Sequence, residues 1–317
     1  MNTTLTPAYS FEKESLKDKL NFKKITHDNM PVIWEYVKNA PGRTTDFSYG
    51  GILMWVDMFM YEFAIYKDTL FIKGVVENDR TKPAFSLPIG TLPLKDSISI
   101  LRKYCEQENI PLELSAVPEE SLEEIKELNP KTIELLEDWS DYLYDAEMLA
   151  ELKGKKMGKK RNHVNSFIAH NPEWKYDEMN SQNVKDAIGF MDIYESEIDD
   201  SYMAKAESML TRKILNAFSD GDNVMKGGIL YDKPGSVCAI TIGDVRGDTL
   251  YVHIEKGARE VNGSYEMINK EFASHNLKEN PSIRFINRED DSGDEGLRKA
   301  KESYHPLGLM RKYNVIF

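Results

Sequence analysis

The stretch VMKGGILYDKPGSVCAITIGDVRGDTLYVHIE, residues 224–255, decides the fold class. It contains three strand-like runs, Val224 to Tyr231, Val237 to Gly243 and Leu250 to Glu255, rich in β-branched and aromatic side chains. The breakers between them, Asp232-Lys233-Pro234-Gly235 and Arg246-Gly247-Asp248, are short enough for hairpins, so three antiparallel strands are expected. Ahead of them, Ser181 is placed to cap a helix in which Val184, Ala187, Ile188, Met191 and Tyr194 keep helical spacing. Met203, Leu210, Ile214, Leu215 and Phe218 continue that spacing into a second helix, which ends at the turn Ser219-Asp220-Gly221-Asp222. Behind the strands, Tyr265, Ile268 and Phe272 mark a helix and Ile283 to Asn287 a strand. Glu295 to Tyr304 then reads as a helix and Leu307 to Phe317 as a final strand.

The first half repeats this order without repeating the sequence. Phe22 to Ile25 reads as a strand, Pro31 to Lys38 and Phe47 to Met58 as helices, and Phe63 to Tyr66, Leu70 to Val76 and Phe85 to Ile89 as strands. Ile98, Leu101 and Cys105 then mark a helix, Leu112 to Ala116 a strand, Leu122 to Leu128 a helix and Thr132 to Leu136 a strand. Central antiparallel hairpins followed by helical crossovers exclude a purely parallel, doubly wound sheet. The expectation is mixed α/β in two similar domains, residues 1–140 and 141–317, with no low-complexity linker at the join.

Composition narrows the function. The chain has 317 residues, of which 41% are hydrophobic, enough for sizeable cores, and a net charge of −12. An acidic surface excludes a generic coat for nucleic acid or anionic membrane. Two distant cysteines, Cys105 and Cys238, and a polar, charged opening from Met1 to Lys17 suit a reduced, cytoplasmic protein. The most apolar stretch, Gly51 to Met60, is too short to span a membrane and carries Asp57, so no transmembrane segment is expected.

Common catalytic signatures are absent: no His-Glu-x-x-His, no phosphate loop, no dinucleotide loop and no nucleophile elbow. No metal is expected: the six histidines lack metal-site spacing, two scattered cysteines cannot form a zinc cluster, and Glu289 to Glu295 has its glycine and last glutamate at the wrong offsets for a calcium loop. Three constellations remain. The run from Lys153 to Arg161 gathers Lys155, Lys156, Lys159, Lys160 and Arg161 in an otherwise acidic chain. On a helix from Lys155 to Ala169 they either hold the phosphates of a ligand or form a solvated face. Asn287, Arg288 and Glu289 lie at the carboxyl end of a strand, where α/β sheets present ligands, and Arg298, Lys301 and Glu302 share a face of the next helix. Those helical charges either bind an anion together or pair with one another. His253 and Glu255, two apart on a strand, either both face a cleft or are a hydrogen-bonded core histidine and a surface acid.

Several segments together resemble a known family: Asp141-Tyr142-Leu143-Tyr144, Gly154-Lys155-Lys156, Lys159 to Asn165, His253-Ile254-Glu255-Lys256, Gly263-Ser264-Tyr265 with Ile268-Asn269, Asn287-Arg288-Glu289, Gly296 to Lys301 and Ser303-Tyr304. In this order and spacing they are similar to the C-terminal domain of bacterial phosphatidylglycerol lysyltransferase. The resemblance implies two tandem domains of the Gcn5-related N-acetyltransferase (GNAT) fold. It also implies transfer of an acyl group, from acyl-CoA or from an aminoacyl-tRNA, to a small-molecule, peptide or lipid-head-group acceptor. Coenzyme-binding members of that fold carry a Gln/Arg-x-x-Gly-x-Gly/Ala loop before a helix. Here Glu260-Val261-Asn262-Gly263-Ser264-Tyr265 keeps only the first glycine, with Arg259 adjacent.

On that footing the donor's phosphates fall to Lys155, Lys156, Lys159, Lys160, Arg161, Arg259 and Gly263, and the substrate to His253, Asn287 and Arg288. Glu255 or Glu289 would be the base and Tyr304 the acid for the leaving group. Arg298 and Lys301 would hold the oxyanion or an anionic acceptor. The altered loop also supports an alternative, a ligand-binding module without transfer chemistry.

Overall fold

The computed structural model describes residues 20–76, 79–197, 202–219 and 224–317. Met1 to Lys17, the turn from Asp220 to Asp222 and the Met203 side chain lie outside the described residues. The first half runs β1 (Lys23–Lys24), α1 (Met30–Val37), α2 (Tyr49–Trp55), β2 (Glu62–Tyr66), β3 (Thr69–Val76), β4 (Asp79–Phe85), β5 (Ile89–Gly90), α3 (Leu94–Glu108), β6 (Glu113–Pro118), α4 (Leu122–Lys126) and β7 (Thr132–Leu135). The second runs β8 (Asp141–Asp145), α5 (Ala146–Glu151), α6 (Gly158–His170), β9 (Lys175–Glu178), α7 (Val184–Glu197), α8 (Tyr202–Ser219), β10 (Lys226–Lys233), β11 (Ser236–Arg246), β12 (Thr249–Gly257), α9 (Ser264–Glu279), β13 (Phe285–Asn287), α10 (Glu295–Glu302), β14 (Gly308–Met310) and β15 (Lys312–Ile316).

The mixed α/β expectation holds in two mixed sheets. Their orders are β1-β2-β3-β4-β6-β15-β7, with β5 also on β3, and β14-β8-β13-β12-β11-β10-β9. In each, an antiparallel meander leads through a helix to a parallel neighbour: β4 to β6 and β12 to β13. The orders superpose strand for strand except that β15 occupies in the first sheet the place β8 occupies in the second. The chain leaves β7 and enters the second sheet as β8, then leaves β14 and returns to the first as β15. The run expected as one final strand is therefore two strands in different sheets, divided at Arg311.

Two other local expectations differ. The run expected from Phe85 to Ile89 is divided, β4 ending at Phe85 and β5 starting at Ile89. The basic helix starts at Gly158 rather than Lys155. Gly154 takes a left-handed φ of 84°, and the Arg161 guanidinium donates to the carbonyls of Leu152 and Gly154, fastening a turn ahead of α6.

One apolar core joins the halves: Ile52, Leu53 and Met54 of α2 pack in the same cluster as Ile214, Leu215 and Phe218 of α8 and Ile240, Ile242 and Ile254 of the second sheet. A second cluster, with Leu149, Val164, Phe167, Met267 and Phe272, gathers α5, α6 and α9 against the second sheet. No helix among the described residues is long and apolar enough to cross a membrane.

Candidate functional site

The two parallel strand pairs hold together only briefly. β4 and β6 share the single register pair Phe85 with Leu114, and β12 and β13 run together from Thr249 with Phe285 to Tyr251 with Asn287. Beyond those points Ser86, Ser115 and Ala116 on one side, and Val252, His253, Glu255, Arg288 and Glu289 on the other, line one cavity of about 750 Å³. Strand carboxyl ends leave backbone and side chains free where parallel pairing stops, which is why sites form there.

Counting from the register pairs, Leu87 and Ala116 of the first sheet stand where His253 and Glu289 stand in the second. Ala116 and Glu289 share a left-handed backbone, with φ of 54° and 57°. The same left-handed residue recurs after the parallel pair, inside β6 in the first sheet and just past β13 in the second, but only the second copy carries titratable groups. His253 owes its aim to a bulge: Ile242 pairs with Ile254 and Gly243 with Val252, leaving His253 as the extra residue. Gly243 is needed there, because a Cβ would lie 2.0 Å from the Tyr251 carbonyl oxygen.

The buried His253 ring bridges two acids, with Nε2 2.8 Å from Asp244 Oδ2 and Nδ1 2.7 Å from Glu289 Oε1. Burial opposes its charge, but the hydrogen bonds to Asp244 and Glu289 outweigh burial and raise its pKa from 6.5 to about 10. It is therefore an imidazolium donating through both nitrogens. Asp244 Oδ2 also accepts from the Gly50 N–H at 2.6 Å, and a Cβ on Gly50 would lie 2.4 Å from His253 Cδ2. The Thr45 hydroxyl donates to Glu289 Oε1 at 3.2 Å, and the Glu289 N–H donates to Asn287 Oδ1 at 2.7 Å. Among the described residues both side-chain donors to Glu289 fall on Oε1, and Oε2 takes none.

A raised histidine pKa sets a pH dependence. The stabilisation from protonated His253 is complete below its unfolded pKa of about 6.5 and is lost as pH rises through the folded value of about 10. Urea unfolding of the wild type should lose stability between those limits, and His253→Gln should flatten that slope; parallel slopes would mean the ring is neutral in the fold.

Below this group lies a second cluster. Asp141 Oδ2 accepts from the Thr45 N–H at 2.7 Å and from Asn287 Nδ2 at 2.9 Å, while Lys312 Nζ sits 2.7 Å from Asp141 Oδ1 and 2.9 Å from Asp46 Oδ2. Asp141 opens β8 and Lys312 opens β15, so the ion pair joins the two exchanged strands at their starts. Burial pushes Asp141 up against the pull of Lys312; burial also works against the Lys312 charge, but Asp141 and Asp46 overcome it and hold the ammonium on.

The remaining expected site residues divide clearly. Glu255 is no surface acid: it takes Arg288 Nη2 at 2.7 Å and Asn269 Nδ2 at 3.0 Å. The Arg288 guanidinium lies 4.7 Å from the Tyr304 ring centre. Lys160 lines the cavity, 3.2 Å from Glu266 and 3.9 Å from the Tyr304 ring centre. Lys301 turns inward and donates to the carbonyls of Arg288 (2.6 Å) and Asp290, so it clamps the β13 turn. Arg298 turns outward to Asp291 (2.9 Å) and Asp138 (2.8 Å) and does not line the cavity. Lys155, Lys156, Lys159 and Arg259 are exposed, and Arg161 is committed to the turn before α6. Gly263 caps α9 at φ 83°, and a Cβ there would lie 2.5 Å from the His163 carbonyl oxygen, so this glycine serves the packing of α9 on α6. Glu266 stands in the first turn of α9 and pairs with Lys160, so this helix start carries an acid beside its free N–H groups.

Residues 39–316 match a family model described as phosphatidylglycerol lysyltransferase, C-terminal. Among solved structures, a conserved protein of unknown function from Bacteroides thetaiotaomicron is 28% identical, with 94% of this chain and 99% of that one covered at a TM-score of 0.82. The C-terminal domain of a protein named as a lysylphosphatidylglycerol synthetase from Agrobacterium fabrum is 13% identical, with 91% of each chain covered at 0.65. L-PGS from Bacillus licheniformis is 10% identical, with 92% of this chain and 91% of that one covered at 0.63. No curated protein matches.

Proposed function

The chain belongs to the family of phosphatidylglycerol lysyltransferase C-terminal domains, and from that premise we propose that it transfers an acyl or aminoacyl group to an acceptor bound in the cavity between the two sheets. The observation that carries this reading is Glu289, whose Oε1 is held by a buried imidazolium and whose Oε2 is left for a nucleophile on the cavity wall. We read each sheet with its helices as a GNAT-like unit, residues 1–140 and 141–317, apart from the exchanged strand β15, with the chemistry in the second.

Glu289 Oε2 takes the proton of the acceptor nucleophile as that atom bonds to the donor carbonyl carbon. The bond from that carbon to the leaving oxygen or sulfur breaks, Tyr304 gives the leaving atom its proton, and the proton on Glu289 restores the phenol. Burial keeps the Tyr304 phenol protonated until then. Arg288 and Lys301 fix the β13 turn rather than touch the reacting atoms.

Of the two donors, the acid in the first turn of α9 and the altered loop ahead of it favour an aminoacyl-tRNA over acyl-CoA. Its phosphates would meet the exposed Lys155, Lys156 and Lys159 ahead of and on α6. Thermal unfolding with acetyl-CoA, CoA and bulk aminoacyl-tRNA, added separately at equal ionic strength, tests this. A rise of a few degrees with aminoacyl-tRNA alone is expected, since ligand at about 100 times its Kd adds about 2.7 kcal/mol. A rise with acetyl-CoA would assign the other donor, and no rise with any would favour the module without transfer chemistry.

A further inference from the structure

The wall of the cavity changes character from one sheet to the other. Among the described residues that line it, the first half of the chain brings a single charged side chain, Asp46, and Lys312 holds that carboxylate at 2.9 Å. The surface there is aromatic. Trp55 lies 5.9 Å from Phe59 between ring centres, and Phe59 stacks on Tyr61 at 5.7 Å. All three line the cavity, each only partly buried. Two small residues make room beside them: Gly74 of β3 pairs with Ala84 of β4, and a Cβ on Gly74 would lie 2.8 Å from Tyr61 Cδ1 and 2.9 Å from the Phe59 carbonyl oxygen.

This surface is continuous with the group around Glu289. Gly51, Met54 and Trp55, three and four residues apart on α2, all line the cavity. Gly50 beside them packs on His253, and Thr45 ahead of α2 holds Glu289. On the opposite side Lys160 lines the cavity from α6, next in sequence to the exposed Lys159. A donor whose phosphates lie at α6 and whose ester carbonyl lies between Tyr304 and Glu289 therefore points its acyl side chain at the aromatic wall.

We propose that this wall is a side-chain pocket, and that the group transferred is an aminoacyl residue with a large uncharged side chain, of phenylalanyl or leucyl type, and not lysyl. The assignment rests on the transfer reading above, with an aminoacyl-tRNA as donor, and names its acyl group. An apolar side chain gains by burial against the three rings. A lysyl side chain would carry its ammonium to a wall whose one carboxylate is already paired; ring faces attract a cation, but more weakly than the water it gives up.

Calorimetric titration of the whole protein with the methyl esters of phenylalanine, leucine, alanine and lysine, and with 2-phenylethylamine, which is the phenylalanine probe without its ester, tests the assignment at about pH 6 and one ionic strength. The phenylalanine and leucine esters should bind at least about tenfold more tightly than the alanine and lysine esters. Trp55→Ala and Phe59→Ala should each bring the phenylalanine ester within about threefold of the alanine ester; both side chains are partly exposed, and two variants guard against one failing to fold. Trp55→Glu should reverse the order of the phenylalanine and lysine esters. Lysine or alanine ester binding as tightly as phenylalanine ester, or no binding by any probe, would overturn the proposal. Phenylethylamine binding as tightly as the phenylalanine ester would give the pocket to the acceptor and overturn the donor assignment. Binding needs no transfer, so the two readings fail separately. Phenylalanine ester binding with no transfer from any donor overturns the transfer reading alone, and transfer from lysyl-tRNA but not from phenylalanyl- or leucyl-tRNA overturns the pocket alone.

Discussion

Glu289→Gln is expected to lower the transfer rate by about 10²- to 10⁴-fold, the usual worth of a positioned general base, while the protein stays folded. The amide oxygen of glutamine can still accept from the His253 ring and the Thr45 hydroxyl, so the hydrogen bonds at 2.7 and 3.2 Å survive in kind. What disappears is the basic oxygen on the cavity side. The loss should fall on kcat more than on KM, because the carboxylate acts on the proton that moves in the transition state. Arg298→Ala provides the contrast: its guanidinium holds Asp291 and Asp138 outside the cavity, so its removal should leave kcat within a few-fold. Steady-state kinetics of the two variants side by side checks both statements. A loss for Arg298→Ala as large as that for Glu289→Gln would bring α10 into the chemistry, and a loss under tenfold for Glu289→Gln would remove the proposed base.

Lys312→Met should cost about 3–5 kcal/mol, the price of leaving buried charge without its partner. Lys312 is 2% exposed and stands between the Asp141 and Asp46 carboxylates at 2.7 and 2.9 Å. Asp141 is 0% exposed. Adding Asp141→Asn should recover part of the loss, since a neutral side chain no longer needs the ammonium. Because β15 lies in the first sheet and β8 in the second, the damage should reach both. Urea unfolding followed by tryptophan fluorescence and by far-UV circular dichroism should give one coincident transition at a lower midpoint. Two separated transitions would show that the sheets unfold independently and that the exchanged strands do not couple them.

Much of the architecture was legible because its signals are local. The hairpin breakers at Pro234-Gly235 and Gly247-Asp248 and the helical spacing from Val184 to Tyr194 act within a few residues, and β10 to β12 and α7 follow them. The strand exchange was not legible. Lys312 to Ile316 is a short strand that fits either sheet, and its partners Glu113 to Pro118 and Thr132 to Leu135 lie far away in sequence. The candidate site follows the same division. His253, Glu255, Arg288, Glu289 and Tyr304 are recognisable by residue type and by position at strand ends or on the helix after them. Thr45, which holds Glu289, and Asp141, Lys312 and Asp46 behind it are recognised as one cluster only from tertiary contact. Asp244, which holds the histidine, has one local signal: a carboxylate inside the largely apolar run from Ala239 to Val245, since an acid buried in a central strand needs a partner. The basic run misled in part, because Lys160 and Arg161 are committed to Glu266 and to backbone carbonyls, whereas a charge run by itself says nothing of partners.

The cavity as the place of transfer can be tested by closing it. Ala300 is exposed on α10 and also lines the cavity, so a larger side chain there can obstruct the cavity without entering the core. Transfer of radiolabel from aminoacyl-tRNA and from acetyl-CoA to a primary amine and to a hydroxyl acceptor should be measured for the wild type and Ala300→Trp at matched folded concentration. Label should move from one donor in the wild type and fall at least about tenfold in the variant, with thermal midpoints within a few degrees. Transfer at the wild-type rate in a folded Ala300→Trp protein would contradict the account, and so would the absence of transfer from either donor in the wild type.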